Sequence, residues 1–199
     1  MTGFDEFKEC LLLLAGEDYE EIYESMPGGS LEEISQWIAA ILEDWEAVAK
    51  PMIAKDHNAL LWRIAAEPFW IGQWLEANSL LELDLDLDHQ TALVQAAKHV
   101  TLAIPQLFAP GEPMENGYFM WWDLLLDHQT LRPELADTCL EILRDLSWRP
   151  DERVQAAALH GLGHLMHPGR PAVVDEFIRR HPEARGDRWI LECREGTVM

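Results

Sequence analysis

Apolar positions recur along this chain with nearly the period of an α-helix, and proline and glycine interrupt them at intervals. The pattern predicts helices over residues 4–15 and 18–26, a break at Pro27-Gly28-Gly29, and a stronger helix opening at Ser30. Ser30 with Glu33 three residues on has the form of a capping box. Within that helix Leu31, Ile34, Trp37, Ile38, Ile41, Leu42, Trp45 and Val48 make one broad apolar stripe. Glu32, Glu33, Gln36, Glu43 and Glu46 form the other face, and Pro51 marks the expected end.

Residues 58–77 are again periodic but divided by Pro68. Leu81 to Asp88 then alternates leucine with acid. Period two signals a strand, yet no second run of comparable strength exists to pair with it. The segment is therefore expected to be an acidic connector or the capped start of the next helix. Helices are expected over 89–108, 117–126, 133–146, 151–166, 171–180 and 185–195, with a break at residues 110–113. The fold class is all-α, in one domain spanning 1–199 whose first 50 residues are acidic helices.

The segment from Arg153 to Ile178 is the most regular. Val154, Ala157, Ala158, Gly161, Leu162 and Leu165 share one arc, where alanine and glycine let a neighbouring helix approach closely, and Pro168-Gly169 stops the helix. Internal echoes accompany it: Val94-Gln95-Ala96-Ala97 returns as Val154-Gln155-Ala156-Ala157, and Asp-His-Gln-Thr occurs at 88–91 and 127–130, with Asp56-His57-Asn58 a weaker copy. The Asp of each such pair is expected to be an N-cap. The V-x-x-A-A-x-x-x-L-G-x-L core with its following proline resembles a HEAT-like repeat of the kind found in phycobilisome-lyase-type repeat proteins, specifically over about one repeat. The resemblance implies a short α-solenoid of HEAT-like or armadillo-like helix pairs over 51–199. It implies an architecture and no particular activity.

Charge narrows the function classes. The 199 residues hold 36 acidic and 15 basic side chains, a net charge of −21. Such a chain repels phosphate backbones and anionic membrane surfaces, so neither nucleic acid nor a membrane is an expected partner. Residues 1–49 alone carry 13 acids and one base. Either a solubilising surface or a binding face accounts for that excess. Cys10, Cys139 and Cys193 are far apart and form no paired motif, which suits a reducing cytoplasm. The apolar run at 11–15 is too short for a signal or a membrane span.

Chemistry-bearing patterns are few. His160, His164 and His167 fall within about 60° of one another on a helical wheel, and a metal could use two of them. The zinc-protease pattern needs a glutamate where Gly161 stands, and no carboxylate lies within the motif, although Asp175 or Glu176 can approach from the next helix. The expectation is therefore no metal centre and no cofactor. Nucleophile elbows, phosphate loops and dinucleotide glycine motifs are missing. The chain holds nine tryptophans, four of them in two aromatic runs at 69–74 and 118–122. The five successive large side chains at 118–122 cannot all face one core, because successive helical positions turn by about 100°, so some must be exposed or meet a partner, and Trp121 and Trp122 are either core or interface residues. The expected function is a non-catalytic acidic interaction module, such as an inhibitor or immunity protein covering a basic protein partner. Its binding residues would be Glu82, Asp84, Asp86, Asp88, Trp121 and Trp122. The alternatives are a HEAT-like enzyme, such as a lyase with a hydrophobic pocket that could use Cys139, and a self-associating scaffold.

Overall fold

Ser30 caps a 13-residue helix as its spacing predicts. Its hydroxyl accepts from the Glu33 amide at 3.2 Å, and the Glu33 carboxylate accepts from the Ser30 amide at 3.0 Å. Two donors that the first helical turn leaves unpaired are thereby satisfied. This computed structural model describes residues 3–14, 27–52, 81, 84–109, 112, 114, 116–126 and 131–198. The predicted helices at 18–26 and 58–77 and the Asp56 and Asp127 repeats lie outside the described residues.

The helices are α1 (Gly3–Leu14), α2 (Leu31–Glu43), α3 (Trp45–Met52), α4 (Leu87–Ala103), α5 (Asn116–Phe119), α6 (Trp121–Leu126), α7 (Pro133–Leu146), α8 (Glu152–His164), α9 (Arg170–Arg180) and α10 (Arg188–Glu195). Two 3₁₀ turns, Ile104–Leu107 and Pro182–Ala184, follow α4 and α9. No strand occurs among the described residues, so the all-α reading holds for them. None of these helices is long and apolar enough to cross a membrane. The chain divides into two compact units, Met1–Tyr118 and Phe119–Met199. Where the pattern suggested one domain with a change of character after residue 50, the division falls at Tyr118.

In the first unit α2 packs along α4, and α3 packs on α4 and the 3₁₀ turn that follows it. Ile34, Ile38, Ile41, Leu42 and Trp45 are buried, as the stripe predicts, together with Leu93, Val94, Ala97 and Val100 of α4. Trp37 leaves this core and meets Phe7 of α1, ring centres 5.4 Å apart. A break at Asp44 separates α2 from α3, and Pro51 lies in the last turn of α3. The apolar stripe runs through that break uninterrupted, so periodicity could not reveal it.

In the second unit α8 packs on α6, α7, α9 and α10, and α9 packs on α10. Gly161 and Gly163 make this possible. A Cβ at Gly161 would sit 2.6 Å from Cβ of Trp122 and 2.9 Å from Cδ2 of Leu143, and one at Gly163 would collide with Val198 and lie 3.3 Å from Cα of Cys193. The expected close approach at these glycines is thus present on two sides of α8. At the far end Gly196 takes a left-handed φ of 73° and closes α10, a conformation that favours glycine.

Candidate functional site

Of the acidic ladder, Glu82 lies outside the described residues, and Asp84, Asp86 and Asp88 are exposed. Its described residues form the capped start of a helix and not a strand. Its cap is Asp86, which corrects the expectation for Asp88: Asp86 Oδ1 accepts from the His89 amide at 2.9 Å and from His89 Nδ1 at 2.7 Å. The other imidazole nitrogen lies 3.3 Å from Nε2 of Gln36 on α2. His89 thus ties the α4 start to the polar face of α2. Glu32, on that face, has its carboxyl held below the usual range by hydrogen bonds from the backbone and Ser30, while the charge of Asp86 pulls it the other way. Two acidic segments distant in sequence therefore meet on one exposed surface of the first unit.

Trp121 and Trp122 are 0% exposed and belong to the core, so they offer a partner no surface. Part of the run does stay outside the core, as the helical wheel requires, but that part is Phe119 and Met120, which are half-buried, and not the two tryptophans. A turn at Met120 separates α5 from α6, and Tyr118, Trp121 and Trp122 are all buried.

The three histidines part company. Helix α8 ends at His164, and His167, beyond that end, turns to Asp137, with its Nε2 2.8 Å from the carboxylate and its Nδ1 accepting from the Gly169 amide at 2.9 Å. His160 and His164 stay one helical turn apart, ring centres 4.9 Å from each other. The acid that joins them is neither Asp175, which pairs with Arg194 at 2.6 Å, nor Glu176, which faces Arg144, Arg179 and Arg180. It is Asp123 of α6. Its Oδ1 lies 2.9 Å from His164 Nδ1 and its Oδ2 lies 3.9 Å from His160 Nε2.

Gly161 explains the meeting. Its missing side chain admits Trp122, so the next residue of α6 is carried against the residues that flank Gly161 on α8. Sequence inspection missed Asp123 because only this helix crossing brings it near the histidines; the signal available was the glycine next to His160. Burial pushes the Asp123 carboxyl up, but the two adjacent imidazoles outweigh it and hold it well below the usual carboxylate range. His160 is only 6% exposed, stacks on Trp189 with ring centres 6.5 Å apart, and its buried Nε2 has no hydrogen-bond partner. An unpaired buried nitrogen of this kind costs about 1–3 kcal/mol. His164 also lines an open cleft of about 570 Å³ shared with Gly163, Met166, His167, Arg170 and Val198.

Cys139 and Cys193 are buried, and burial pushes each thiol up to about 12. Such thiols are protonated at neutral pH and are poor nucleophiles, which removes the support that Cys139 lent to a lyase. Compared with family models, with curated proteins and with solved structures, the chain matches none.

Proposed function

We propose that this chain is a non-catalytic interaction module whose first unit presents an acidic face to a basic protein, in the manner of an inhibitor or immunity protein. The observation that carries the reading is the junction at His89, where the acidic face of α2 and the acidic start of α4 form one surface. Glu32, Glu33, Glu43, Asp44, Glu46, Asp84, Asp86 and Asp88 are all exposed in this unit, which holds 22 acidic and 5 basic residues in all. Such a field speeds encounter with a basic partner and turns away nucleic acid and anionic membranes. Cys139 and Cys193, buried as thiols, suit a cytoplasmic location.

The HEAT-like stack belongs to the same reading. Helices α6, α8 and α10 pack successively on one another while α7 and α9 flank them, the alternation expected of paired layers. The flanking layer is joined by Arg144 to Glu176 and by the guanidinium of Arg180, 4.2 Å from the Trp148 ring centre.

The test is a capture experiment in extract of the source cells, repeated across salt. Exposed charges about 10 Å apart are already substantially screened near 0.1 M salt, so capture of a basic protein should weaken steeply as salt rises. Reversing Asp84 and Asp88 to lysine should slow association; neither residue caps the helix, so the cost to folding is limited to losing the Asp88 charge from the first turn of α4, about 1 kcal/mol. Asp86 is left intact because its loss would damage α4. Binding indifferent to both salt and the reversals would overturn electrostatic recognition.

A further inference from the structure

We propose that Asp123, His160 and His164 form a binding site for one divalent transition-metal ion. One donor atom from each residue lies within 4.8 Å of the donors of the other two. The inference rests on the second unit alone and stands whether or not the acidic face binds a partner.

Three observations favour a metal over a purely structural cluster. The first is the unpartnered nitrogen. A core network built for stability satisfies both histidines, whereas here Asp123 pairs closely with His164 and leaves His160 Nε2 at 3.9 Å, beyond hydrogen-bond range, with no other acceptor or donor. The second is the ligand chemistry. Two imidazoles and one carboxylate form a mixed nitrogen and oxygen set, which suits zinc and its neighbours and is poor for calcium or magnesium. Histidines at i and i+4 on α8 present both rings on one helix face, the usual helical chelate. The third is the surroundings. Trp189 stacks on His160, and Trp122 and Leu143 crowd Gly161 between the two histidines, giving a largely apolar shell that weakens competing hydration.

Three protein ligands leave a position open on a four-coordinate ion. The cleft bordered by His164 gives that position access to water or to a small ligand. Donors on one tetrahedral ion sit roughly 3.3 Å apart, given bonds of ~2.0–2.1 Å. The donors already lie within 4.8 Å of one another, and the ion would replace the His164–Asp123 contact. The expectation of no metal centre drawn from the histidine spacing rested on a missing carboxylate, and Asp123 supplies one.

The experiment uses the full chain, freed of metal with a chelator and titrated with zinc by calorimetry and with cobalt by visible absorption. One ion should bind per chain, with cobalt developing the intense visible bands of a low-coordinate site. His160→Gln and Asp123→Asn should each weaken zinc binding by roughly a hundredfold, the upper end of what is lost on removing supporting groups at metal sites. His167→Gln should change it less than about twofold, because that ring faces Asp137. Should either ligand variant misfold, imidazole resonances of the unaltered protein decide the matter: zinc should shift those of His160 and His164 and leave those of His167 in place. No saturable binding of either ion, affinity unchanged in both ligand variants, or shifts confined to His167 would overturn the site.

Discussion

The two compact units use charge in opposite ways. The first holds 22 acidic and 5 basic residues, and among its described residues Lys50 pairs with Glu46. The second holds 14 acidic and 10 basic residues and spends them on pairs: Arg153 with Asp151, Arg194 with Asp175, Arg149 with Asp145, Arg188 with Glu192. One unit keeps a field that reaches into solvent, and the other largely cancels its own. Packing differs in parallel. Branched aliphatic side chains fill the interior of α2 and α4, whereas α8 relies on glycine to let its neighbours in. The first unit thus exposes charge of one sign, while the second packs tightly enough to bury an ionisable cluster, and each half of that contrast can be broken by mutation.

The largest effect is expected at Trp122. Truncation to alanine removes a fully buried ring and should cost about 3–5 kcal/mol, read as a lowered midpoint in denaturant. An interface anchor would instead leave stability alone and change only partner dissociation. That outcome would return the tryptophan to the binding surface.

Next is a matched pair of glycines. Gly161→Ala places a methyl group against Trp122 and Leu143 and should destabilise by about 1–3 kcal/mol, while Gly28→Ala in the first unit has nothing within 4 Å to meet and should be near neutral. Equal melting temperatures for the two variants would contradict the close helix crossing that delivers Asp123.

The smallest effect is a pH dependence. The Asp151 carboxyl is held below its ordinary value, mainly by its hydrogen bond with the Arg153 side chain. A depressed folded pKa contributes stability that is complete above the unfolded value near 3.9 and is lost as pH falls through the folded value. Asp151→Asn should therefore flatten the acid limb of a stability profile below about pH 4 and leave its shape at neutral pH unchanged. An equally steep acid limb in the variant would show that this pair contributes nothing to the linkage.

Much of the secondary structure was legible because its causes are local. Ser30 with Glu33, the Pro133 start of α7 and the Leu146 end of that helix depend on residues within a turn of one another, and all lie where the pattern put them. The net acidity and its concentration near the start of the chain are properties of composition and needed no fold. Three things were decided only by tertiary structure. The turn at Met120 divides the aromatic run between two helices, and packing made Trp121 and Trp122 core residues while Phe119 and Met120 stay half-buried. The end of α8 at His164 sent His167 to Asp137 and broke a set of three that a helical wheel had drawn together. The crossing at Gly161 brought Asp123 to His160 and His164. A wheel assumes one uninterrupted axis and knows nothing of the neighbouring helix, whereas the carboxylate that completes this cluster arrives across a contact between two helices, where distance along the chain carries no information about distance in space.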